Sequence, residues 1–121
     1  MAYDERLANR IRNQLHKQIS IAPYITEKRM FGGIAFMFYG HMFAGVTGSA
    51  LMARVGKPQY DAALQREYAR PMDFTGKPLT GYVFVDEPGI VHDGDLRDWL
   101  RLCLDFVASL PPKKTATNKF N

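Results

Sequence analysis

KRMFGGIAFMFYGHMFAGV, residues 28–46, is the stretch whose reading decides the fold. It holds four glycines, four phenylalanines and three methionines behind two basic residues. A dinucleotide-binding loop needs glycines spaced G-x-G-x-x-G between a strand and a helix. Gly32 and Gly33 are instead followed by Ile34, Ala35, Phe36, Met37 and Phe38, which are strand-forming residues. Apolar runs of five or six residues punctuated by glycine read as hairpins of an antiparallel sheet. Gly32, Gly33 and Gly40 are therefore read as structural turn residues, the adjacent pair Gly32-Gly33 serving a tight turn, a bulge or a close approach of another backbone.

Working outward, the stretch predicts a strand over 25–31, a second over 34–39, a turn at Gly40-His41 and a third strand over 42–46. Thr47-Gly48-Ser49 turns the chain again into a strand over 50–55. Upstream, Leu7, Ala8, Ile11, Leu15 and Ile19 recur at helical spacing and predict an amphipathic helix over 4–20. Asp4 and Glu5 suit its first turn, where the helix dipole favours negative charge. Downstream, Pro58 opens a short helix over 58–66 with Tyr60, Ala63 and Leu64 inward. The segment after it reads as a loop ending in the turn-rich DFTGKPLTG, residues 73–81. A last strand is expected over 82–85 and a loop at EPGIVHDGD, residues 87–95. Asp95 is read as the N-cap of a final helix over 96–110, with Asp98 completing a capping box. Leu96, Trp99, Leu100, Cys103, Phe106, Val107 and Leu110 form its apolar stripe, and Pro111-Pro112 ends it.

Strands joined by short turns require antiparallel pairing, and amphipathic helices must cover a sheet face. The expected fold is α+β, with an antiparallel sheet of four to six strands flanked by N- and C-terminal helices. One domain over residues 1–110 and a flexible basic tail over 111–121 account for the 121 residues.

Composition narrows the function. Of the 16 Lys and Arg residues, three lie in the tail, leaving 13 against 12 acids in the body. The formal charge of +4 is thus mostly a tail property and a weak nucleic-acid footprint. No apolar run reaches the ~20 residues of a membrane span. The N-terminus lacks the apolar stretch of a secretory signal, so a cytoplasmic location is expected. The single cysteine, Cys103, excludes an internal disulfide and any zinc site with two cysteines from one chain. His16, His41 and His92 are scattered, so no metal is expected. RPMDFTGKP, residues 70–78, lacks the first glycine and the Ser/Thr of a phosphate-binding loop. No cofactor and no catalytic residue is expected; a small methyltransferase would need a glycine-rich loop and βαβ alternation, neither of which is present.

Two sets of basic residues remain. Arg6, Arg10 and Lys17 fall on one side of the first helix and suit phosphates or an acidic partner. Arg29 and Arg54 suit an anion or a partner carboxylate if they face the same way. The methionines Met30, Met37, Met42, Met52 and Met72 fill gaps in sheet packing or make an adaptable binding surface. Two helices cover one sheet face; the other is expected to be a partner or self-association surface, with a homodimer as one form.

RMFGG (residues 29–33), Phe36, Gly40, MFA (42–44), Leu51, RVG (54–56), Tyr60, Phe74, Gly76 and GYV (81–83) together resemble the N-terminal domain of the TfoX/Sxy family, over residues 4–110. The resemblance implies an antiparallel sheet flanked by helices. It also implies kinship with regulators that assist transcription of DNA-uptake genes in natural competence. Those regulators carry a second, helical C-terminal domain, so a stand-alone first domain is the expectation here. The resemblance carries over no catalytic residues. It points to a non-enzymatic regulatory or protein-interaction domain, with a nucleic-acid-associated accessory protein as the alternative.

Overall fold

The computed structural model describes residues 3–18, 21–30, 32–73 and 76–111. The chain runs α1 (Glu5–His16), β1 (Ile25–Met30), β2 (Gly33–Phe38), β3 (His41–Thr47), β4 (Ala50–Arg54), α2 (Lys57–Leu64), β5 (Ala69–Asp73), β6 (Pro78–Val85) and α3 (Asp93–Ala108). Short 3-10 turns precede β1 (Ala22–Tyr24) and α3 (Glu87–Ile90). The six strands form one antiparallel sheet in the order β1-β2-β3-β4-β6-β5. The fold is the expected α+β class, at the upper end of the expected strand number.

Helices α1, α2 and α3 lie on one face. Directly opposed residues of an antiparallel pair share a face. The chain of partners Ile34, Val46, Leu51 and Val85 therefore defines the helix-covered side. Onto it pack Leu7, Ile11 and Leu15 of α1, Ala63 of α2, and Leu96, Trp99, Leu100, Cys103 and Val107 of α3. Burying the leucine, isoleucine and valine side chains among them contributes about 1.5–3 kcal/mol each, which makes this seam the main stabilising contact.

One irregularity enlarges that core. Phe36 pairs with Ala44 and Met37 with Met42, so Phe43 is the extra residue of a β-bulge. A bulge re-aims side chains locally. Here Phe43 and Ala44 both join the main core, fully buried.

Among the described residues, the opposite face carries a small buried cluster of Ala50, Met52, Met72 and Phe84, with Tyr82 against it. Met52 is buried there without a helix above it. Its methyl end lies over Gly45, where a Cβ would collide with it. The bare glycine is a notch that receives the methionine, which is a packing role for a glycine rather than a turn role.

Several sequence expectations need correction. The loop expected after α2 contains β5, an edge strand concealed by Arg70 and Pro71, whose polarity and missing N–H read as loop; Pro is tolerated at a sheet edge. Within DFTGKPLTG, Asp73 ends β5 and pairs with Pro78, where β6 starts instead of at residue 82; Phe74 and Thr75 lie outside the described residues. The β2–β3 turn is Tyr39-Gly40, with φ of 50° and 82°, and His41 opens β3. Two successive positive φ values are those of a type I′ hairpin, in which a bulky residue such as Tyr39 is unusual. Gly33 is a ladder residue paired with Met30 and not a turn residue; it serves the close backbone approach that the glycine pair also allowed, since a Cβ there would strike the Val46 carbonyl. Gly32 and Gly40, at φ of 73° and 82°, do occupy the left-handed region. α3 begins at Asp93 with His92 as N-cap, because the Leu96 N–H already reaches the His92 carbonyl at 3.1 Å. Asp95 is thus in the first turn, and the expected capping box is not formed. α1 ends at His16; residues 19–20, expected to prolong it, lie outside the described residues, as does the tail beyond Pro111.

Candidate functional site

The two arginines expected to act together stand on opposite faces. Arg29 pairs with Ile34 and so belongs to the helix side, exposed on the edge strand β1. Arg54, three residues past Leu51, pairs with Tyr82 on the open face. The sequence shows two basic residues flanking a meander; only the register separates them.

Arg54 sits at the end of β4, half-buried. Its guanidinium carbon lies 5.5 Å from the centre of the Tyr82 ring and 5.4 Å from that of Phe106. Both distances lie within the range of cation–π attraction. Nη1 donates to the Met42 carbonyl at 3.3 Å. A guanidinium has five N–H donors, and no other acceptor or carboxylate meets this one among the described residues. Phe106 reaches this position from α3 because its ring lies against Gly56, where a Cβ would overlap it. Gly56 is held in turn by the Gly81 carbonyl, which accepts from the N–H groups of Val55 and Gly56 at 2.8 and 3.0 Å.

Two hollows meet at Arg54 and Tyr82. One, of about 520 Å³, spreads over the open face and is walled by Met30, Met37, Met42, Met72 and Leu79, with His41 at its rim. The other, also about 520 Å³, is walled by Lys57, Pro58, Thr80 and Phe106. Neither wall contains an acid. His41 donates from Nε2 to the Pro111 carbonyl at 2.7 Å, so the end of the α3 segment is tied to the rim of the first hollow. Lys28, paired with Ala35, adds a cation to the same face. Met52 and Met72 are buried within the small cluster; Met30, Met37 and Met42 are the half-buried methionines that line the hollow.

The basic side of α1 is assembled differently. Arg10 donates to the carbonyls of Ile90 and Val91 at 2.7 and 3.1 Å and to Asp93 at 3.0 Å. It fastens α1 to the start of α3. Arg6 is exposed but close to Asp4, 3.9 Å away. Lys17 is the C-cap and exposed. The hollows beside this helix contain Asp4, Glu87 and Asp93 among their walls. Arg12, which the stripe did not include, binds Glu27 through Nε and Nη2, both at 2.8 Å, and lowers the Glu27 pKa by that hydrogen bonding.

Cys103 is fully buried in α3, and burial pushes its thiol pKa up to about 12. A thiol so far from ionisation is a packing residue, since the thiolate is the nucleophile. No three of His, Cys, Asp and Glu converge to hold a metal ion among the described residues. Likewise no described helix is long and apolar enough to cross a membrane.

The family model of the TfoX N-terminal domain matches residues 4–107 of this chain, from the α1 N-cap to the last buried residue of α3. The chain belongs to the TfoX N-terminal domain family. The match takes in the whole sheet and all but the last residue of α3. No curated protein and no solved structure gives a significant match.

Proposed function

We propose that this TfoX N-terminal domain is a non-enzymatic regulatory module that binds a protein partner on the helix-free face of its sheet. The observation that carries this reading is the one-sided placement of α1, α2 and α3, which leaves an adaptable methionine-lined face around Arg54 uncovered. Methionine suits such a surface because its flexible, polarizable side chain repacks against different shapes. A regulator akin to those of competence needs this kind of contact and no bond-making chemistry. The nucleic-acid alternative is favoured less, because Arg10 is spent on α3 and carboxylates interrupt the rest of the α1 stripe.

The test is selection of binders from an unbiased displayed-peptide library, with a Met37→Lys chain as counter-target. Binders that lose affinity for Met37→Lys are expected. Binders indifferent to it would refute the reading. A complex with duplex DNA or RNA that weakens steeply with salt would instead establish the alternative.

A further inference from the structure

Three other hollows among the described residues each hold both signs of charge. Asp4 and Glu87 accompany Arg6 and Arg10; Asp93 accompanies Arg10 and Lys17; Glu67, Asp95 and Asp98 accompany Arg66. The pair of hollows around Arg54 is different. It presents Arg54 and Lys57 with no acid, against walls that are otherwise mostly apolar. Arg10, Arg12 and Arg70 are each closed by an internal carboxylate at 3.0 Å or less. Arg54 is held in place by two rings and one carbonyl instead, with Nε and Nη2 unused among the described residues. A fixed guanidinium with free donors, partly shielded from water, is matched to a carboxylate.

We infer that Arg54 is the anchor for an acidic side chain of the partner protein, with one apolar residue on either side of that acid entering the two hollows. This rests on the reading of the open face as the binding face. The two-sided arrangement selects the occupant. A single acyl chain or small apolar acid fills one hollow and leaves the other wet. A peptide segment fills both and sets its carboxylate between them. In an extended segment, alternate residues share a side. The recognised pattern is therefore apolar, any, acidic, any, apolar.

The probe is a capped synthetic peptide with the core Leu-Thr-Glu-Thr-Leu, compared with a twin in which Gln replaces Glu. Both are titrated into the isotope-labelled full chain and followed by NMR, including the Arg54 Nε–H signal. The Glu peptide is expected to shift Arg54, Met42 and Tyr82 and to bind on the order of tenfold more tightly than its twin. Arg54→Gln is expected to abolish that preference while leaving the spectrum of the fold intact. Equal binding of the two peptides on the open face would overturn the inference and leave the binding-face reading standing. No binding of either peptide, or shifts away from Arg54, would also overturn it; the library selection decides the broader reading independently. The comparison of the twin peptides uses the unaltered chain, so it holds even if Arg54→Gln folds poorly.

Discussion

The ring of Phe106 occupies the space that a side chain at Gly56 would need. That contact joins the last helix to the end of β4 and brings an aromatic face to Arg54. Gly56 also has a φ of 85°, a conformation in which a Cβ is strained. Gly56→Ala is therefore expected to lose about 1–3 kcal/mol of stability, from strain and overpacking together. Urea denaturation of the two chains measures it; an unchanged midpoint would remove Phe106 from the support of the site.

Arg12 and Glu27 tie α1 to the edge strand β1 by two hydrogen bonds of 2.8 Å. The hydrogen bonds hold the Glu27 pKa below its ordinary value of 4.5. A depressed carboxylate stabilises the fold above its unfolded pKa, and that contribution fades as pH falls through the folded value. Because the pair is partly solvent-screened, its worth is about 0.5–1 kcal/mol. Glu27→Gln is expected to lower stability by that amount near neutral pH. The deficit should shrink below about pH 4. Denaturation curves at several pH values check both the size and the direction.

Arg10 serves three acceptors at the start of α3. Arg10→Ala is expected to cost about 1–2 kcal/mol, since it strands the part-buried carbonyl of Ile90 and gives up the exposed contacts to Val91 and Asp93. Arg6→Ala, at an exposed position, should stay within about 0.5 kcal/mol of the parent. Thermal unfolding of the two variants would show the difference; equal effects would mean that the basic stripe acts as one surface.

Cys103 is expected to resist thiol reagents in the native chain and to react on unfolding, because its thiol pKa of about 12 leaves almost no thiolate at neutral pH. Cys103→Ser should destabilise the chain by about 1–3 kcal/mol by placing a hydroxyl among apolar neighbours. Reaction with a chromogenic disulfide in native buffer and in denaturant separates the two states.

Most of the fold was legible because its signals are local. Residues 28–46 announce their hairpins through glycine and β-type residues, and both long helices announce their buried stripes. β5 was not legible, since an edge strand with Arg70 and Pro71 lacks the alternation that marks a half-buried strand. The bulge at Phe43 left no mark either, because an extra apolar residue in an apolar run looks like any other.

The site was half legible. The methionines and Arg54 were visible as residue types, but a face is a property of register. Arg29 and Arg54 look equivalent in sequence, and only the pairing with Ile34 and Tyr82 divides them. Phe106 belongs to an apolar helical stripe, and its approach to Arg54 depends on the missing side chain at Gly56, far away along the chain. Arg10 likewise reads as a surface cation until α3 is folded against it.

The most direct test is to ask which face of the sheet a bound partner touches. Methyl spectra of a methionine-labelled chain report on both layers of the open face. With a peptide selected from the unbiased library, Met30, Met37 and Met42 are predicted to shift together, while the amides of Arg6 and Lys17 on α1 stay in place. Shifts confined to α1, with the methionine methyls unmoved, would contradict the account.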